Sequence, residues 1–210
     1  GFEVVRSDVS TREMYQKGQH SIPSDTVCYP AKLMHGHIEN LLEKNVDAIF
    51  YPCMTYNLDE QRGDNCYNCP VVAYYPELLE ANIPALQNFD FMMPYFELSN
   101  QKEFIKQAER FFCKKYTAIK KRHIVRAAQA AYQALDHYYA AVREQGRKAI
   151  AYADEHGLEI AVVVGRPYHI DPEINHGIHQ LIASYGMVVV SEDAVWQLAE
   201  CPKVNVLNQW

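Results

Sequence analysis

Four cysteines in the first third of the chain have surroundings that suit a metal site. Cys28 and Cys53 stand alone, 25 residues apart, in "SDTVCYP" and "FYPC", whereas Cys66 and Cys69 form a close pair in "GDNCYNCP". Cysteine binds metal as the thiolate, and each thiol lies beside a proline or in a polar loop. A zinc site usually has two close pairs of ligands, whereas this chain has only one. The spacing therefore fits an iron–sulfur cluster at least as well as it fits zinc, which remains the alternative.

The local pattern predicts the elements that carry the two isolated cysteines. Residues 28–44 have apolar side chains at helical spacing with Pro30 in the first turn, so Cys28 should precede a helix. The run "VDAIFYPC" is continuously apolar and ends in proline, which is typical of a strand buried on both faces. Cys53 should therefore lie at or just past the carboxyl end of a strand.

Cys66 and Cys69 should lie where a loop rich in Gly, Asp and Asn meets a short helix, which is expected to break around Pro76. The N-terminus of a helix favours a thiolate, and ligands collect at the carboxyl ends of parallel strands. All four cysteines are therefore expected to converge on one edge of a sheet.

The competing interpretation is that these thiols are packing groups, because free cysteine is among the most buried residue types. That interpretation is preferred for Cys113, which lies among the aromatic residues of a predicted helix, and for Cys201. A disulfide between Cys66 and Cys69, as in a redox CxxC pair, is a third alternative.

The rest of the chain reads as alternating helices and strands. "FEVV" at the start resembles a strand, and a helical pattern from Gln101 continues through a long helix with an interruption expected at Gly146. "LEIAVVVG", "DPEINHGIHQLIASYG" and "MVVVSED" then predict strand, helix and strand, which is a βαβ unit with Asp171 as helix cap and Pro172 at the first position.

We therefore expect an α/β protein with two lobes of mostly parallel sheet flanked by helices. The predicted limits are residues 1–99 for a cysteine-bearing lobe, 100–157 for a helical connection and 158–210 for the start of a second lobe. The abrupt start and end predict that the chain is a segment of a larger protein.

Six chemistry-bearing side chains follow the first strand of the βαβ unit: Arg166, His169, Asp171, Glu173, His176 and His179. His176 and His179 would share a helix face and could bind a metal with Glu173. Helix capping explains the acidic residues without any ligand, and this alternative stays open. Arg166 is the best candidate for an anion contact, and His169 is a further possible ligand. His35 could hydrogen-bond a cluster sulfur, although packing is the simpler role.

Composition excludes several classes of function. The formal net charge of −6 argues against a sequence-independent nucleic-acid binder, and the apolar runs are far shorter than the ~20 residues that a membrane span needs. Six cysteines in 210 residues is not the density of a disulfide-stapled secreted domain. A reducing, cytoplasmic location is the expectation.

Three long phrases carry a resemblance over almost the whole chain: "IPSDTVCYPAKLMHGHIENLLEKNVDAIFYPC", "GDNCYNCPVVAYYPELL" and "GRPYHIDPEINHGI". They resemble the uncharacterised domain of the CoA-substrate-specific enzyme activase proteins, which is related to the 2-hydroxyacyl-CoA dehydratase family.

The resemblance implies stacked α/β lobes like those of dehydratase subunits, with a [4Fe–4S] or double-cubane cluster held by cysteines that match Cys28, Cys53, Cys66 and Cys69. Dehydratase clusters generally use three cysteines, so the four candidate ligands are one more than that pattern requires. The resemblance also implies an ATP-hydrolysing activase partner, in the same or another chain, that delivers an electron at low potential. An acyl-CoA is a possible substrate. No P-loop motif occurs in this sequence, so the segment would be the electron acceptor and would catalyse nothing alone. An exposed cluster would be lost in air and could be missing from a crystal.

Overall fold

Short parallel strand pairs packed against helices form the fold in the computed structural model, which describes residues 1–61 and 63–199. The predicted α/β class is therefore confirmed. The chain divides into two compact units, Gly1–Lys120 and the described residues from Lys121 onward. The three-segment division and the two-lobe arrangement drawn from the sequence stay predictions.

In the first unit, two successive strands run parallel to two others. Strand β1 (Ile49–Phe50) pairs with β3 (Phe91–Met92), and β2 (Cys53–Tyr56) pairs with β4 (Tyr95–Glu97). The amides of Ile49, Tyr51 and Cys53 donate in turn to the carbonyls of Asp90, Met92 and Pro94 at 3.0, 2.8 and 2.9 Å. Pro52 lies between two donors, where the ladder needs no N–H from it, so a proline is tolerated there.

Four helices belong to this unit: α1 (Arg12–Gly18), α2 (Tyr29–Glu43), α3 (Pro70–Asn82) and α4 (Gln101–Lys115). The core joins buried side chains of α2, β1, α3 and the turn after α3: Ala31, Ile38, Ile49, Tyr75, Leu79, Ile83 and Leu86. Helices α2 and α3 are thus held by apolar burial, which is the main favourable term in folding.

The first helix has no counterpart in the sequence prediction, and the strand predicted at "FEVV" is wrong. Residues 1–11 form no strand, and α1 begins after Thr11, whose hydroxyl accepts from the amide of Met14 at 3.2 Å. Glycines allow α1 to approach α2, since a Cβ at Gly36 would lie 1.8 Å from the carbonyl oxygen of Met14. Backbone contact of this kind requires glycine.

The break predicted at Pro76 is also wrong, because α3 continues from Pro70 to Asn82 with Pro76 inside it. Pro76 is among the fully buried side chains of the unit. Burial of the ring therefore offsets the lost helical hydrogen bond, which propensity alone would not indicate.

The second unit is built on α5 (Lys121–His156) and the parallel strands β5 (Ile160–Val163) and β6 (Val188–Ser191). Its short helices are α6 (Pro172–Asn175), α7 (Ile178–Ser184) and α8 (Glu192–Val195). The predicted parallel pair is confirmed.

Helix α5 is continuous through Gly146, so the interruption expected there is wrong. A Cβ at Gly146 would lie 2.1 Å from the carbonyl oxygen of Ala194. The glycine therefore serves close packing of α8 on α5. Among the described helices none, including the 36-residue α5, is apolar enough over a sufficient length to cross a membrane.

Candidate metal centre

Cys28 and Cys69 occupy equivalent positions at the starts of two helices. Cys28 is the N-cap of α2 with φ −61° and ψ 150°, and Cys69 is the N-cap of α3 with φ −62° and ψ 153°. Proline follows within the first two helical positions in both cases, and neither thiol caps its own helix. Cys28 is exposed and Cys69 half-buried, so both sulfur atoms are free to take a ligand beside helix N–H groups.

Both helix starts lie at the same edge of the first-unit sheet. Helix α2 leads into β1 through a short turn, whereas α3 follows β2 through the loop that contains Cys66. Helices packed on parallel strands run antiparallel to them, so α2 and α3 both begin where the strands end. The helix-start placement expected for Cys28 and Cys69 is therefore confirmed.

Cys66 lies on the loop that returns along the end of β2. Its carbonyl accepts from the amide of Asn57 at 2.9 Å, and the next residue, Tyr67, forms an antiparallel bridge with Tyr56. The rings of Tyr56 and Tyr67 meet edge to face with their centroids 5.0 Å apart. Burial, followed by the nearby Asp59 carboxylate, raises the pKa of the Cys66 thiol.

Cys53 has a different environment from the other three. It lies three residues past the end of β1, as the sequence predicted, but it also begins β2, and its side chain is fully buried. Burial, followed by the charge of Glu77, raises the pKa of its thiol to about 11. Cys53 therefore lies near Glu77, which is eight residues beyond Cys69 in the sequence. Because eight helical residues span about 12 Å, Cys53 lies well below the edge at which α3 begins.

The four thiols do not converge. Among residues 1–61 and 63–199, no three His, Cys, Asp or Glu side chains lie close enough together to hold a metal ion. The five cysteines in these ranges are free thiols. Cys113 is half-buried, and Cys201 lies outside the described residues. The assignment of these thiols to an iron–sulfur cluster therefore stays a prediction.

A buried hydrogen-bonded chain links His35 to the cysteine-bearing helices, and the sequence pattern did not indicate it. Ser21 donates its hydroxyl proton to the Gly18 carbonyl at 3.0 Å, so its oxygen accepts from His35 Nδ1 at 2.8 Å. His35 Nε2 then accepts from the Tyr75 hydroxyl at 2.9 Å. Both ring nitrogens of His35 are therefore hydrogen-bonded to other residues of the fold, which agrees with the packing role considered for this residue.

The charges in this chain suit a neutral imidazole. Desolvation by burial, with a smaller effect of His20, lowers the pKa of His35 to about 4. Burial, followed by the nearby Cys28 thiol, raises the pKa of Tyr75 to about 12. Helix α2 is therefore hydrogen-bonded to α3 through uncharged polar groups.

The histidine-rich loop of the second unit differs from its prediction. Helix α6 ends at Asn175, and His176 and Gly177 both adopt left-handed backbone, with φ of 53° and 76°. The single helix expected here is wrong, so His176 and His179 do not share a helix face. The predicted Asp171 cap is confirmed, since its carboxylate accepts from the amides of Glu173 and Ile174 at 3.0 and 3.1 Å.

Further local hydrogen bonds join His169, Asn175 and His179 in this loop. His169 Nδ1 accepts from the amide of Arg166 at 2.8 Å, and its carbonyl accepts from the side chain of Asn175 at 2.9 Å. Asn175 is buried and also accepts from the amide of His179 at 3.2 Å. Asn175 therefore organises the loop, although no pattern in the sequence singled it out.

The first unit thus defines a class of protein: an α/β domain that presents cysteines at helix starts along one sheet edge. The profile of the family described as the CoA enzyme activase uncharacterised domain matches residues 1–195. The chain belongs to this family, as its resemblance implied. Comparisons with curated proteins and with solved structures gave no match.

Proposed function

We propose that this chain is an iron–sulfur domain that accepts an electron within an activase-dependent dehydratase or reductase system. The observation that carries the proposal is the paired geometry of Cys28 and Cys69, each an N-cap followed by proline at the same edge. Helix N-termini stabilise thiolates, the form in which cysteine binds iron.

Cys66 is the third ligand in this proposal, and Cys53 is excluded. Cys66 precedes Cys69 by three residues on the same edge loop, whereas Cys53 is a fully buried thiol with a pKa of about 11. Three thiolates leave one iron of a [4Fe–4S] cluster without a cysteine ligand, which is the pattern implied by the dehydratase resemblance. Since these thiols do not converge in the described residues, binding must draw them together, as metal binding commonly does.

When bound, a cluster supplies a site that takes up and releases one electron. The partner in the proposal is an ATP-hydrolysing activase, in the same or another chain, and the acceptor is an acyl-CoA or another small reducible molecule. Membership of the activase-related family supports this role.

The test is anaerobic reconstitution of the whole chain with iron, sulfide and zinc supplied together. The proposal expects bound iron and sulfide with visible absorbance, and their loss in the triple variant Cys28→Ser/Cys66→Ser/Cys69→Ser. Cys113→Ser is the matched control, since it removes a half-buried thiol from α4. A colourless protein with stoichiometric zinc would replace the proposal by a zinc-stabilised interaction domain.

A metal-free α/β interaction domain is the second candidate. The lack of a convergent ligand group in the described ranges and the burial of Cys53 favour it. It expects neither iron nor zinc to be retained, and the same metal analysis distinguishes it from both metal-binding candidates.

A further inference from the structure

Helix α5 has an apolar seam that its fold and the proposed cluster leave unexplained. Between residues 124 and 142, apolar side chains recur in alternating steps of four and three, which is the spacing of a coiled-coil contact. The seam consists of Ile124, Ala128, Ala131, Leu135, Tyr138 and Val142. The positions that flank it, from Val125 to Ala141, hold only valine, alanine and tyrosine. This side of α5 therefore has the composition of a helix–helix contact.

The middle of the seam is open to solvent. The buried residues of α5 lie near its two ends: Ile124, Ala128, Gly146 and Ala153. Between them, Ala131 is exposed, 54% of Tyr138 is exposed, and Leu135 and Val142 are half-buried. The apolar side of an amphipathic helix normally faces a core. A further helix packed on the middle of α5 would supply that cover.

Helix formation alone does not account for these residues. Tyrosine and valine are poorer helix formers than alanine or glutamate, so Tyr138 and Val142 do not serve local stability. All charged and amide side chains of residues 124–142 lie on the opposite side of α5: Arg126, Gln129, Gln133 and Asp136. Docking on the seam therefore buries no charge, as is usual at the centre of an interface.

The seam is complementary to itself when two copies of α5 run antiparallel. If Leu135 faces Tyr138 of the second copy, the same register places Ala131 opposite Val142 of the second copy. Every layer then joins a larger residue to a smaller one, which fills the space between the helices evenly. Parallel pairing would place Tyr138 against Tyr138 and Ala131 against Ala131, with crowding in one layer and a void in the other.

The charges along α5 favour the same orientation. Before position 136 the helix has three basic residues and no acidic one: Lys121, Arg122 and Arg126. Its four acidic residues all follow: Asp136, Glu144, Asp154 and Glu155. Antiparallel pairing directs the basic beginning of one helix towards the acidic end of the other, whereas parallel pairing places like charges side by side.

We propose that α5 is a dimerisation helix, which packs the middle of its seam antiparallel on the same seam of a second copy of this chain. The contact is isologous, because both copies use the same residues around a two-fold axis. It involves no cysteine and no metal, so it forms in the reduced, metal-free protein.

The test is sedimentation velocity of the full chain over a range of concentrations, with a reductant and a metal chelator present. The proposal expects a reversible equilibrium between monomer and dimer. Ala131→Lys/Tyr138→Lys should raise the dissociation constant of the dimer by about tenfold or more, because each lysine enters the contact without a partner.

The matched control is Gln133→Lys/His137→Lys, which adds the same charge at exposed positions on the opposite side of α5. Its dissociation constant should stay close to that of the original chain. Circular dichroism of each variant establishes that the chain is folded before its association is compared.

Cross-linking tests the orientation. In a mixture of the single variants Ala131→Cys and Val142→Cys, a short bismaleimide should join position 131 to position 142, and peptide mass spectrometry identifies the link. Links from 131 to 131 in the Ala131→Cys variant alone would refute the antiparallel arrangement.

Three results of the sedimentation experiment would overturn the proposal. A chain that stays monomeric at all concentrations would leave the seam to a helix of a different protein. A dimer unaffected by Ala131→Lys/Tyr138→Lys would place the interface elsewhere. Equal weakening in the control would reduce the effect to general charge repulsion.

Discussion

At the level of single residues, Cys28 and Cys53 represent the two possible fates of a thiol in this chain. Cys28 is exposed at a helix start, whereas Cys53 is fully buried and its pKa is raised to about 11. Thiol reactivity depends on access and on the thiolate fraction. The two residues should therefore behave very differently towards an alkylating reagent.

We expect iodoacetamide to modify Cys28 first and Cys53 last in the metal-free protein at pH 8. Peptide mass spectrometry at increasing reaction times measures the order, and the same reaction in denaturant provides the unfolded reference. Equal rates for the two cysteines in the folded protein would contradict the burial of Cys53.

The buried His35 predicts a loss of stability in mild acid. Its pKa is about 4 in the folded protein and 6.5 in the unfolded chain, so the unfolded state binds more protons as the pH falls below 6.5. The free energy of unfolding should drop by about 2 kcal/mol between pH 7 and pH 5. Urea unfolding at several pH values measures this.

The variant His35→Gln provides the control for that prediction. It removes the titrating group, so its stability should be lower at pH 7 but nearly independent of pH between 7 and 5. Asp8, whose pKa is lowered chiefly by its hydrogen bond to Lys44, loses its charge only at more acidic pH. A wild-type stability that is constant over this range would show that His35 is not neutral and buried.

Part of this residue-level description was available from the sequence. The prolines beside Cys28 and Cys69 predicted helix starts, because proline favours the first turn. The depth of Cys53 could not be predicted, since it depends on where Glu77 and Tyr95 pack. The chain from Ser21 through His35 to Tyr75 joins residues up to 54 positions apart and leaves no local signal.

At the level of elements, the contact of α1 with α2 depends on glycine. The structure leaves no room for a side chain at Gly36, where a Cβ would meet the Met14 carbonyl. Because that neighbour is backbone, relief requires α1 to move as a whole.

Gly36→Ala should therefore destabilise the protein by about 2 kcal/mol, as overpacking does. Helix propensity alone predicts the opposite sign, a gain of about 1 kcal/mol. The midpoint of urea unfolding decides between them. A stabilised Gly36→Ala variant would mean that α1 does not pack on α2 as described.

Elements with strong periodic signals were predictable, and those set by packing were not. The apolar spacing of residues 28–44 predicted α2. The order of two apolar runs with a helical pattern between them predicted the parallel pair of β5 and β6. The break at His176 and Gly177 was missed because its local bonds, centred on Asn175, override a helix-like pattern. The continuity of α5 was missed because Gly146 serves packing against Ala194.

At the level of the whole molecule, membership of the activase-related family and the edge placement of three cysteines support one account. In the proposed function, Cys28, Cys66 and Cys69 hold a cluster, whereas Cys53 belongs to the core.

The most direct test compares the iron content of two single variants after anaerobic reconstitution. Cys28→Ser should lose most of its iron and visible absorbance, whereas Cys53→Ala, which keeps the core apolar, should retain both. Full retention of iron by Cys28→Ser together with its loss from Cys53→Ala would contradict the account.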